Sequence, residues 1–149
     1  MQKICQQAQE MLSELEGLPL SMARKLAPCE LYELRFGNSY VNYEEAPNGT
    51  KEKRVHFLFC IHGQCDVRIG EERLTGWSTD GELQRALRGF LGTAVEEAAL
   101  GAENVLRLRF PAGAIEFCPI PDRDEAWRLF SQDRARAHLV AAFSDMAFE

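Results

Sequence analysis

Two stretches of the chain read alike when one is shifted by fifty positions, Val55 to Trp77 against Val105 to Trp127. Val55 matches Val105, Leu58 matches Leu108, Gly63 matches Gly113, Arg73 matches Arg123 and Trp77 matches Trp127. Around each glycine one apolar segment enters and another leaves, with Cys65, Asp66 and Val67 answering Ile115, Glu116 and Phe117. A period of this length is the mark of a repeated supersecondary unit, and kelch blades have a similar one. Two copies interrupted by a helix cannot close a propeller, so the similarity predicts a duplicated strand–hairpin module.

The local patterns fill in the rest. Ile4, Ala8, Met11, Leu12 and Leu15 form one stripe at a period of 3.6, which predicts a helix over 2–16 ended by Gly17 and Pro19. Its other face, with Gln9, Glu10 and Glu16, reads as solvent chemistry. Leu18 to Ala27 suggests a brief helix capped by Ser21 and closed by Pro28. From Leu31 the period changes to two, with strands at 31–36 and 39–43 about the turn dipeptide Gly37-Asn38 and a loop over 44–53 around Pro47-Asn48-Gly49. Val55 to Ile61 and Cys65 to Ile69 read as a hairpin about Gly63. Thr79 followed by Glu82 is a capping-box pair, opening a helix over 80–91 with Leu83, Leu87, Phe90 and Leu91 buried.

Beyond Gly92, strands are expected at 93–100 and 105–110, returning through Pro111-Ala112-Gly113 to Phe117. One or two helical turns are expected around Trp127, and a last strand at 138–143. The expected architecture is thus a single α+β domain over 1–149. Its sheet would be mostly antiparallel, in two pseudo-repeated halves (about 29–77 and 93–148), with the helices on one face. Gly63, Trp77, Gly113 and Trp127 would be its structural anchors, the two indoles locking each hairpin onto a helix. Were the tryptophans exposed, they would instead be contact hot spots.

The chain carries 17 basic and 23 acidic residues, a net charge of −6. That sign disfavours nucleic acid. The modest basic clusters, Lys51, Lys53 and Arg54 and then Arg134 and Arg136, read as solvated loops. No apolar run is long enough to span a membrane. The first residues lack a secretory pattern, and an odd five cysteines without a CxxC pair suit reduced thiols, so a cytoplasmic location is expected.

No catalytic constellation is visible. P-loop, GxGxxG, HExxH and GxSxG patterns are absent. Cys60-x-His62-x-x-Cys65, with His56 and Cys118, is the most suggestive cluster, but the matching positions 110, 112 and 115 hold Phe, Ala and Ile. The cysteines therefore read as small core residues, and no metal or cofactor is expected. The acids Glu71, Glu72, Glu96, Glu97, Asp122 and Asp124 read as solvated charge, or as a surface that meets a basic partner.

The segment from Val105 through Gly113 to Phe117, followed by Pro121-Asp122 and Asp124-Glu125-Ala126-Trp127, resembles a small bacterial family of unknown function. Proteins of this size and make-up recur among the immunity proteins that neutralise polymorphic or contact-dependent toxins. The resemblance covers about the last fifty residues, and no functional residue carries over from it. It implies a non-enzymatic protein-binding protein, an immunity-like inhibitor. The acidic surface it would act through is read from the charge pattern, with those six acids as its contacts. Two alternatives stay open. One is a small enzyme or ligand-binding protein with a pocket between sheet and helices, using His56, His62 or Cys65. The other is an oligomeric scaffold, such as a homodimer, closed through the strand 55–61 or the stripe at 2–16.

Overall fold

The computed structural model describes residues 2–26, 31–37, 39–42, 51–54, 57–62, 65–75, 77–121, 125–131 and 136–149. In chain order the elements are α1 (Gln2–Ser13), β1 (Leu20–Leu26), β2 (Leu31–Phe36), β3 (Ser39–Asn42), β4 (Lys51–Arg54), β5 (Phe57–Ile61), β6 (Cys65–Ile69) and β7 (Glu72–Thr75). Then follow α2 (Asp80–Ala86), β8 (Glu97–Leu100), a 3-10 turn (Ala102–Asn104), β9 (Leu106–Phe110), β10 (Gly113–Pro119), β11 (Trp127–Ser131), β12 (Leu139–Ala141) and β13 (Met146–Phe148). Eleven strands make two antiparallel sheets, ordered β1-β2-β5-β11-β12-β13 and β7-β6-β10-β9-β8.

The sheets face each other across one apolar core, to which each strand contributes every second residue. Tyr32, Leu34, Phe36, Phe59, Ile61, Trp127 and Leu129 enter from the first sheet, and Val67, Leu106, Leu108, Phe110, Ile115 and Phe117 from the second. Phe59 packs on Phe117 and Trp127 with ring centroids 4.7 and 5.4 Å apart. The buried indole N–H of Trp127 donates to the Asn104 carbonyl at 3.1 Å.

The two similar stretches are built differently. Phe110 pairs with Gly113 across the two-residue turn Pro111-Ala112, so β9 and β10 form the expected hairpin, with Gly113 at φ +143. β5 and β6 do not pair at all: one lies in each sheet, and the chain crosses between them after His62. There the His62 N–H donates to the Ala126 carbonyl, which holds it with the first sheet. Gly63 lies outside the described residues. The second expected anchor, Trp77, is 55% exposed, whereas Trp127 is fully buried.

Other expectations are corrected by pairing across the chain. Helix α1 stops at Ser13 because the next residues are drawn into a ladder: Glu16 bridges Val95, and Gly17 N–H donates to the Val95 carbonyl. The stretch expected as a short helix is strand β1, and Ser21 hydroxyl donates to the Arg35 carbonyl on β2 instead of capping. Gly37 does not reverse the chain. β3 pairs with β4 in the same register that joins β2 to β5, so β2 and β3 face β5 and β4 as the arms of one long hairpin. The expected loop at 44–53 thus yields strand β4 at its end, while 43–50, with Pro47-Asn48-Gly49, lies outside the described residues. The turns expected around Trp127 are strand β11, paired with β5 and β12. Of the strand expected at 93–100 only 97–100 is regular, and 138–143 shortens to β12, which pairs with β13.

The helices do not share a face. α2 packs at β1 and β7, and α1 at β8 and β13, so each lies along one flank of the sandwich. The capping box opens α2 as expected, with Thr79 and Glu82 bonding each other's backbone N–H. Regular helix ends at Ala86, but Leu87 and Phe90 continue its buried stripe. Among the described residues no helix is long and apolar enough to cross a membrane.

Candidate functional site

A sandwich of two open sheets has four edge strands, each with backbone N–H and C=O groups that point away from the sheet and invite another strand. Two of these edges are plugged by side chains, and a third is capped at one end. On β1, Asp80 accepts from the Lys25 N–H at 3.1 Å and Gln84 donates to the Ala23 carbonyl. On β8, Gln9 donates to the Ala98 carbonyl and accepts from the Leu100 N–H at 2.8 and 2.9 Å, while Glu16 accepts from the Ala98 N–H at 3.1 Å. The Gln9 and Glu16 side chains therefore serve the sheet, which their place on the polar helix face did not reveal. On β7, Ser78 hydroxyl accepts from the Thr75 N–H and Ser78 N–H donates to the Thr75 carbonyl, both at 3.0 Å.

The fourth edge is open. His138 and Glu149 exchange both backbone bonds, at 2.8 and 2.9 Å, so alternation turns Ala147 inward to β12 and Met146 and Phe148 outward. Among the described residues, no group partners those outward amides and carbonyls.

Two pockets with separate linings lie beside this edge against α1, together called the α1 cleft. The first, about 360 Å3, is lined by Ile4, Cys5, Phe143 and Met146 with Glu103 and Asn104 of the 3-10 turn. The second, about 490 Å3, is lined by Gln7, Glu10, Met11, Glu14, Arg136 and Phe148. Ile4 is one of the few large apolar side chains left exposed. Glu103 and Asn104 both hold φ +59, a left-handed pair that turns the chain at the cleft wall.

This flank is acidic. Glu10, Glu14, Glu16, Glu96, Glu97 and Glu103 are all exposed there, on α1 and the turn that follows it, the segment leading into β8, β8 itself and the 3-10 turn. Arg136 forks onto Glu14, and Arg109 bonds Glu96 at 2.9 Å. The Arg136 bond outweighs the burial that opposes it and holds the Glu14 carboxyl below its ordinary range.

The sequence-predicted acids fall on both flanks. Glu96 and Glu97 lie beside α1, whereas Glu71 and Glu72 lie at the turn into β7, near α2, with Arg85 3.9 Å from Glu72. Asp122 and Asp124 lie outside the described residues, as does His56. Sequence reasoning missed Glu10, Glu103, Ile4 and the β13 edge. The only signal was the apolar Met146-Ala-Phe148 triplet after a polar turn, too short to announce a strand.

The residues favoured by an enzyme reading are parted. Cys65 is in the core, where burial pushes its thiol far up, while Cys60 and His62 face outward from the first sheet. The Cys60 thiol is raised to about 11 by burial and by the Glu33 and Glu125 carboxylates, which leaves little thiolate for nucleophilic work. His62 Nε2 contacts Glu125 at 2.5 Å, and Arg128 binds the same carboxylate with Nε at 3.0 Å. Burial alone would raise the Glu125 carboxyl; bonds and charge from Arg128 and His62 overcome it and hold it low. Arg128 also reaches Glu149 at 3.1 Å, and Glu33, only 5% exposed, lies between Arg24 and Arg35 at 3.0 and 2.9 Å. These carboxylates and arginines satisfy one another across the outer face of the sheet, and none of them lines the α1 cleft. Among the described residues no group of His, Cys, Asp and Glu is placed to hold a metal ion.

No protein-family model matches the chain, and neither a curated protein nor a solved structure matches it.

Proposed function

We propose that this chain is a non-enzymatic protein-binding protein, an inhibitor of the immunity type that blocks a bacterial toxin through an acidic surface. The observation that carries the reading is the α1 flank, where six exposed glutamates outnumber three arginines, Arg107, Arg109 and Arg136. A flank whose acids outnumber its bases speeds encounter with a basic partner and enforces its orientation. The apolar side chains Ile4 and Phe143 beside those acids supply the desolvated centre that charge alone does not. Glu96 and Glu97 belong to this surface in our reading, and Glu71 and Glu72 do not.

The test is co-expression with the product of the neighbouring gene, followed by co-purification and a toxicity assay. The reading expects a complex and rescue of growth, both lost when Glu10 and Glu97 are changed to lysine in a chain that still folds. A complex that tolerates this double reversal, or failure to form one at all, would contradict it.

A further inference from the structure

Why two sheet edges are plugged, a third is capped at its end and the fourth is left open needs a physical answer. Natural sheets blunt exposed edges with short strands, charge, proline, bulges or cover, because an open edge recruits strands from other chains. The β1, β8 and β7 edges follow that practice through Gln84, Asp80, Gln9, Glu16 and Ser78. β13 is short, Met-Ala-Phe between Asp145 and Glu149, but it holds no charge, proline or bulge of its own, and among the described residues its outward Met146 and Phe148 backbone groups have no partner. Instead of being covered, this edge is one wall of a cleft whose other wall is a helix. Extended peptides add to sheets in that arrangement, with main-chain bonds supplying affinity and alternate side chains supplying selectivity.

We infer that the β13 edge is a strand-addition site, which takes an extended basic segment of a protein partner as a seventh strand of the first sheet, lying in the α1 cleft. The inference rests on the protein-binding reading above and names how the partner is held. In an added strand every second side chain turns toward α1. Those side chains meet Ile4 and Phe143 at one end of the cleft and Met11 with Glu10 at the other. Glu10 and Glu103 form no ion pair among the described residues, so lysine or arginine in the segment finds carboxylates not already engaged. An acidic segment would meet repulsion from the same groups.

The test uses the whole chain labelled for NMR and three eight-residue peptides. The first alternates lysine with valine. The second is the same peptide N-methylated at every second amide, so that its ladder donors are gone. The third carries glutamate for lysine. The lysine peptide is expected to slow hydrogen exchange of the Met146 and Phe148 amides by about tenfold or more at saturation. N-methylation should weaken binding by about tenfold, and the glutamate peptide should not bind. Unchanged Met146 and Phe148 amides at about 1 mM lysine peptide would overturn strand addition, as would equal binding of the N-methylated form. If that peptide still shifts the Glu10 and Glu14 signals, the acidic-flank reading survives while the added strand does not. Protection of the two amides by raising protein concentration alone, with dimers in sedimentation, would give the edge to a second copy and also overturn the proposal.

Discussion

The two flanks of the sandwich solve the same problem with opposite outcomes. At the α2 flank Asp80 and Gln84 plug β1, and Ser78 closes the end of β7. At the α1 flank one edge is finished by Gln9 and Glu16 and the other is left open beside a cleft. Each flank also received one of the aligned tryptophans. Trp77 lies exposed between β7 and α2, while Trp127 is buried and tied to the 3-10 turn at the α1 side. A helix packed on a sandwich flank is therefore not enough to say whether that flank is closed; the side chains that reach the strand backbone decide it.

The comparison breaks most visibly at the tryptophans. Trp127→Ala should cost about 3–5 kcal/mol in denaturant unfolding, through lost burial and a cavity between Phe59 and the 3-10 turn. Trp77→Ala should stay within about 0.5 kcal/mol, as surface substitutions do. Equal effects would restore the symmetry that the similar stretches suggest.

The edge plugs come next. Gln9→Ala strips two backbone groups of β8 of their partner and should cost about 2 kcal/mol, against about 1 kcal/mol for Gln84→Ala, which strips one of β1. Calorimetry of the two variants checks the order. Charge reversal then separates the flanks functionally. Glu10→Lys with Glu97→Lys should weaken a basic partner by about tenfold or more, while Glu71→Lys with Glu72→Lys should change its affinity less than about threefold.

The smallest effect is acid sensitivity. The Glu125 carboxyl is held below its ordinary 4.5, so its pairing with Arg128 and His62 stabilises the fold above that pH and is lost as pH falls through the lowered value. Thermal midpoints should show wild type above Glu125→Gln at about pH 6, and the gap should narrow toward about pH 3. Glu14 titrates in the same direction, but its pair with Arg136 is half-exposed and screened, so Glu14→Gln should shift the midpoint less.

How much of this was legible beforehand depended on whether the cause was local. The capping box at Thr79, the Pro111-Ala112 turn with Gly113 and the alternation of β6 and β9 follow from neighbours in sequence, and the structure has them. β1 and β11 look helical in isolation because their apolar spacing is ambiguous over a few residues; pairing with β2 and β5 decides them. The shifted similarity was real as a string, yet strand pairing is a long-range choice, and β5 took β2 and β11 while β6 took β10 and β7. The acids Glu96 and Glu97 were visible as charge, but that Glu10 and Glu103 join them beside an open edge required the three-dimensional path of α1 and β13. Gln9 could not be told from a solvated glutamine, because its partners lie 89 and 91 positions away.

Amide hydrogen exchange on the free chain tests the central asymmetry without any partner. The Leu100 and Lys25 amides, plugged by Gln9 and Asp80, and the Ala147 amide, turned in to β12, should be protected, while Met146 and Phe148 should exchange at least about tenfold faster than Ala147. Equal protection of Met146, Ala147 and Phe148 would mean that this edge is as covered as the others, and the account of an asymmetric, partner-receiving flank would be wrong.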